Sequence, residues 1–148
     1  MRVEGEFSVA SFTPAELSVA AAPIGTGVAV GVAVMDKRYS GDVEGRSATL
    51  FTSAFDQASG VGSYVAMESF EGSLGGRRGS FNFLHTASTH GSDRSDEFCR
   101  IVPGSGTGEL AGVSGAGGLT IDADGTHRIW FDLDDAADPS RTADAAGG

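Results

Sequence analysis

The sequence predicts an all-β fold, a single eight-stranded antiparallel β-barrel. Three observations lead there. Apolar residues recur with period two along almost the whole chain, the spacing of half-buried strands rather than helices. Glycine accounts for 23 of 148 residues, about twice its usual ~7% share, and much of it stands in turn sequences. Short antiparallel strands must also hide their edges, and closing the sheet into a barrel does so.

The elements follow in order. Phe7, Val9 and Ser11 alternate with Ser8, Ala10 and Phe12 in a short first strand that stops at Pro14. Residues 13 to 26 hold two prolines and read as a long connection. Val28, Val30, Val32 and Val34 then alternate with Ala29, Gly31 and Ala33, and the run continues through Lys37 and Arg38 to Tyr39. The next strand starts near Val43 and passes through Thr49, Leu50 and Phe51. Tyr64 to Leu74 is one strand and Arg78 to Thr89 another. Glu97 to Val102 is shorter and ends at Pro103; Leu119 to Ile121 and His127 to Leu133 complete the set. Turn chemistry separates them at Gly41-Asp42, Gly75-Gly76, Gly91-Ser92-Asp93 and Asp122-Ala123-Asp124-Gly125. Only Thr107 to Val113 has the character of a helical turn. The barrel takes residues 1 to 135. Residues 136 to 148 lack apolar periodicity and are expected to form a disordered tail of acidic and small residues.

Composition excludes several functions. Twenty acidic against ten basic side chains give a net charge of -10. Phosphate neutralisation and polybasic membrane anchoring both need a basic face, so neither nucleic acid nor membrane is expected as a partner. The opening MRVEGEFSVA carries charges where a signal peptide needs an apolar run. The apolar stretch Gly25 to Met35 falls well short of the ~20 residues that span a bilayer. The expected location is cytoplasmic. The single cysteine, Cys99, rules out an intramolecular disulfide and a cysteine-based zinc cluster. No G-x-S-x-G elbow and no phosphate-binding loop occurs, and Gly104, Gly106 and Gly108 do not spell a dinucleotide fingerprint. His85, His90 and His127 stand at different heights, and the aspartates near Asp132 lack the spacing of a calcium loop. No cofactor and no metal are expected.

One pair of residues carries chemistry. Phe81, Phe83, His85 and Ala87 share the more apolar face of their strand, so His85 should point inward. The Gly75-Gly76 turn makes pairing partners sum to about 151 or 153, which sets Glu68 opposite Phe83 or His85. A carboxylate beside an interior imidazole can move protons near neutral pH, so Glu68 and His85 are the candidate catalytic pair. The same pair also fits a satisfied polar contact with no catalytic role. The candidate ligand-binding set is Phe51, Tyr64, Phe70, Phe81, Phe83 and Phe98, with Arg100 if its face turns inward and Glu109 if its loop reaches the barrel mouth. Trp130 shares parity with Arg128 and Asp132 and reads as an outer, subunit-contacting residue.

The segments YSGDVEGRSA, FEGSLGGRRGSFNFLHTAS and IVPGSGTGELAGVSGAGG together resemble a bacterial family of small domains, domain-of-unknown-function family 3224, with PGSGTGELAG the most specific part. The likeness covers roughly residues 5 to 134. The resemblance implies a lipocalin-sized barrel similar to the allene oxide cyclase-like and dirigent-like barrels. It implies no activity. Members of that family often carry an acidic residue in the strand after the YSGDVEG turn. Leu50 occupies that place here, which implies a more apolar lumen.

Two functions follow from this reading. The first is a barrel that holds a small, largely apolar molecule and acts as a cofactor-free isomerase or cyclase, with Glu68 and His85 as its acid/base pair. The alternative is a non-catalytic ligand carrier, or an oligomeric scaffold whose lumen is filled by phenylalanines. Homo-oligomerisation is expected in either case.

Overall fold

The computed structural model describes residues 1–135. The tail expected over 136 to 148 lies outside them. The chain is all-β. The strands are β1 (Arg2–Ala15), β2 (Val30–Gly41), β3 (Val43–Asp56), β4 (Val61–Leu74), β5 (Arg77–His90), β6 (Ser95–Ile101), β7 (Gly115–Ile121) and β8 (His127–Leu133). All pair antiparallel in one sheet, each with the next, and β8 returns to β1, so the sheet closes on itself. No α-helix occurs among the described residues; the one helical piece is a 3-10 turn at Gly108–Leu110, inside the stretch where a helical turn is expected. None of the described helices is long and apolar enough to cross a membrane.

Tight turns set the register. A single residue, Asp42, joins β2 to β3. Gly75 and Gly76 join β4 to β5 with φ of 59° and 83°, the left-handed pair that a two-residue hairpin requires. That turn gives the pairing Glu68↔Phe83 and Ala66↔His85, in which partners sum to 151.

β1, β4 and β6 begin earlier than expected, at Arg2, Val61 and Ser95, and β2 later, at Val30; two further differences have a clear cause. β1 does not stop at Pro14 but pairs with β2 as far as Ala15↔Val32. β8 leaves β1 at Phe7↔His127, so beyond Phe7 the second side of β1 is an edge, and an edge tolerates proline. β7 begins at Gly115 rather than Leu119. The sequence does not show what faces its GAGG run. Gly118 pairs with Trp130, and a Cβ on Gly118 would lie 2.4 Å from the indole. The glycines are there so that the outer Trp130 ring can lie against the strand, with the Arg2 guanidinium 4.2 Å from its centroid.

The interior divides along its length. The half nearest the Asp42 and Gly75-Gly76 turns is filled. Phe70, Phe81, Phe83 and Phe131 are buried there, their rings tilted or edge-on at centroid distances of 5.1 to 5.9 Å. The 3-10 turn seals that end, with Leu110 fully buried and the Thr107 N–H bonded to the Ser80 carbonyl at 2.9 Å. The opposite half holds fewer side chains and opens to solvent. Between the two halves lies a layer of buried polar residues: Lys37, Ser47, Thr49, Glu68 and His85.

Candidate functional site

Alternation on β2 to β5 delivers this polar layer. Lys37 and Tyr39 share the inward face of β2, Ser47 and Thr49 that of β3, Glu68 that of β4 and His85 that of β5. Glu68 is fully buried and lies at the centre. Its Oε2 accepts from the Lys37 ammonium at 2.7 Å and contacts His85 Nε2. Its Oε1 accepts from the Tyr39 hydroxyl at 2.6 Å and from Ser47 Oγ at 2.7 Å. Four donors on one carboxylate satisfy its lone pairs and offset the cost of burying a charge. Thr49 Oγ1 is the one buried side-chain polar atom without a partner among the described residues.

The layer reaches the surface through Tyr64. Its hydroxyl lies 2.8 Å from His85 Nδ1, and Arg94 Nη2 donates to the same oxygen at 3.0 Å. With Glu68 ionised, the Nε2–H of His85 donates to it. In the neutral imidazole, which the lowered pKa of His85 favours, the unprotonated Nδ1 accepts the Tyr64 proton. Glu97 holds Arg94 in place through a 2.7 Å bond to Nε.

The titration of each group follows from these contacts. Burial pushes the Glu68 carboxyl up, but its bond to His85 and the Lys37 ammonium outweigh burial and bring it down to about 2. His85 is lowered from 6.5, chiefly by burial, with Glu68 pulling the other way. Burial raises Tyr64 and Arg94 restrains the rise. Burial, with the Glu68 charge adding to it, pushes the Cys99 thiol up to about 12. Native Cys99 should therefore be inert to a disulfide reagent such as dithionitrobenzoate at pH 8 and react only on unfolding. Labelling of the folded protein within minutes would contradict this.

A pH dependence follows with a definite sign. Both His85 and Glu68 have native values below their unfolded ones, so each binds fewer protons when folded. Each contribution is complete above the unfolded value and is lost as pH falls. His85 begins to lose its share below 6.5, and Glu68 loses its share between 4.5 and about 2. The melting temperature should fall in two stages on acidification. In His85→Leu only the lower stage should remain.

A cavity of about 900 Å³ fills the open half, within the ~300–1,000 Å³ range of small-molecule sites. Phe12, Phe51, Phe55, Leu119 and Ile121 supply apolar walls, while Tyr64 and Arg94 bring polar groups to its side. Phe51 stacks on Tyr64 at 5.1 Å and meets Phe12 edge-on at 5.8 Å.

The candidates from the sequence separate accordingly. Glu68 and His85 come together, but beneath the cavity rather than on its wall; Tyr64 is the group that carries their contact into it. Phe51 and Tyr64 line the cavity, whereas Phe70, Phe81 and Phe83 belong to the filled half. Phe98 and Arg100 point outward, because the pairing His85↔Cys99 gives the inward face of β6 to Cys99 and Ile101. Glu109 is exposed at the sealed end, where its carboxylate accepts the Arg78 N–H at 3.2 Å. Leu50 is 63% exposed on the outer face, so it does not make the lumen apolar. Trp130 does lie on the outer face, half-buried. Among the described residues no group of three or more His, Cys, Asp and Glu is placed to hold a metal.

Sequence reasoning missed Lys37, Tyr39, Ser47 and Arg94. A signal existed for Lys37, the only lysine in the chain: it shares parity with Ala33 and Tyr39. Nothing marked Arg94, which sits in a loop and reaches Tyr64 across 30 residues.

No curated protein matches this chain. A solved structure of a protein with unknown function from Shewanella oneidensis MR-1, from the DUF3224 family, is 34% identical. The match covers 90% of this chain and 96% of that one, with a TM-score of 0.74. The family model described as a protein of unknown function, DUF3224, matches residues 3–133. A match of this extent shows that the chain belongs to the DUF3224 family.

Proposed function

We propose that the closed sheet works as an allene oxide cyclase-like barrel: a small, largely apolar molecule binds in its open half and undergoes cofactor-free acid/base chemistry, an isomerisation or cyclisation. One observation carries this reading. Tyr64 lines the cavity, and its hydroxyl is bonded to His85 on one side and to Arg94 on the other. A proton taken from a ligand carbon onto Tyr64 Oη is matched by the phenol proton passing to His85 Nδ1, and the imidazolium so formed lies against Glu68. Arg94 stabilises phenolate character on Tyr64 in between. Returning the proton to another atom of the ligand completes an isomerisation with no net redox change. A carbonyl oxygen on the ligand would accept from Arg94, and the apolar body would lie against Phe12 and Phe51.

The second reading is a non-catalytic carrier. The complete hydrogen bonding of Glu68 favours it, since a fully satisfied network also serves as a rigid floor. A panel of apolar ketones and enones in deuterated buffer separates the two. Proton transfer predicts enzyme-dependent exchange of α-protons for at least one compound that fits the cavity. A carrier predicts binding, read by displacement of anilinonaphthalene sulfonate, with no exchange above buffer.

A further inference from the structure

The outer face of β2 to β6 carries an exposed apolar band. Cross-strand register aligns Val34, Leu50, Met67 and Leu84 in one row. The next row runs Val32, Thr52, Val65, Thr86 and Phe98. Leu50, Val65 and Phe98 are 63%, 55% and 51% exposed. No charged residue interrupts either row up to Arg100, in a chain where one residue in five is charged. The outer positions of β1 and β8 behave differently: Arg2, Glu4, Glu6, Arg128 and Asp132 form a charged wall. The apolar band therefore covers one side of the molecule and does not girdle it, as a membrane-spanning sheet would require. Upstream of β2 the chain continues the same chemistry. Leu17 to Met35 carries no charge, and Leu17, Val19 and Ile24 are 62%, 81% and 80% exposed.

We propose that this face is covered by a second copy of the chain in a two-fold dimer. Size and charge support that occupant. Five strands at ~4.8 Å and five residues at ~3.4 Å give the charge-free area a flat footprint of ~400 Å². Accessible area on protruding side chains exceeds the footprint, so with the 16–29 segment and a polar rim the face approaches the ~800 Å² per partner of a stable dimer. The rim is self-complementary. Asp36 lies on the β2 side of the patch and Arg100 on the β6 side, and Arg100 has no ion-pair partner among the described residues. A two-fold axis along the strands sets the β2 side of one copy against the β6 side of the other, acidic against basic.

The test is the mass of the full chain by light scattering across a concentration series. Wild type should show twice the mass of one chain. Leu50→Lys and Val65→Lys should show the mass of one chain while keeping a cooperative melt, because both positions are exposed. Glu4→Lys, on the charged wall, should leave the dimer intact. Asp36→Arg should weaken association at least tenfold, and adding Arg100→Asp should restore it. A wild type that stays monomeric at 0.1 mM-scale concentrations, on the order of protein-interface affinities, overturns the proposal. So does a dimer that survives both lysine substitutions, or a species of three or more copies. Monomer that binds phosphatidylcholine vesicles, and loses that binding in Leu50→Lys, would replace the second copy with a lipid surface.

Discussion

Glu68→Ala should lower the stability of the fold by about 3–5 kcal/mol, the usual cost of removing one partner of a buried ion pair. The substitution leaves the Lys37 ammonium, 3% exposed, with no counter-charge, and takes the acceptor from Tyr39 and Ser47. At ~4 °C per kcal/mol for a chain of this size, the melting temperature should fall by roughly 12–20 °C. Glu68→Gln should cost less, because the amide oxygen still accepts. Lys37→Met combined with Glu68→Gln should recover part of the loss, since no unpaired charge then stays buried. A melt of Glu68→Ala within 2–3 °C of wild type, on the order of a surface substitution's effect, would mean that water solvates Lys37 and that the layer is not a sealed floor.

Tyr64→Phe should lower proton-exchange activity by about 10²-fold or more, the usual contribution of a general acid or base. It should leave folding and ligand affinity nearly unchanged. Phenylalanine keeps the stack on Phe51 at 5.1 Å and removes only the hydroxyl that joins the cavity to His85. His85→Ala should remove activity to the same extent, because the phenol then has no acceptor for its proton. It should also fold, with a modest loss of stability, because Glu68 keeps Lys37, Tyr39 and Ser47 as donors. The KM-against-kcat split decides between roles: a fall in kcat at constant KM marks proton transfer, and a rise in KM alone marks binding. Full activity in Tyr64→Phe would remove Tyr64 from the chemistry and return the pocket to the carrier reading.

Much of the architecture was legible because strand geometry is local. Period-two alternation gives the strands, and glycine pairs such as Gly75-Gly76 give the hairpins. The inward direction of His85 follows from Phe81, Phe83 and Ala87 on the same face, and its nearness to Glu68 follows from turn length alone. These inferences each depend on one strand or one hairpin.

What joins distant strands was not legible. β2 offers two apolar faces, one of valines and one of Ala33, Met35 and Tyr39, and the alternation alone does not say which is inside. The smaller set faces in, so that Lys37 reaches Glu68 31 residues away, and the valines face out. The same ambiguity placed Phe98 and Arg100, since a short strand beside a bulge between Thr86 and Ser88 takes its parity from its neighbour. The division of the interior into a filled half and an open half depends on total side-chain volume at each height, and no single strand encodes a sum over eight. Local sequence thus specified strands, turns and one inward histidine. The closed packing chose the faces, sealed one end with Leu110 and four phenylalanines, and left Tyr64 as the contact between buried charge and open cavity.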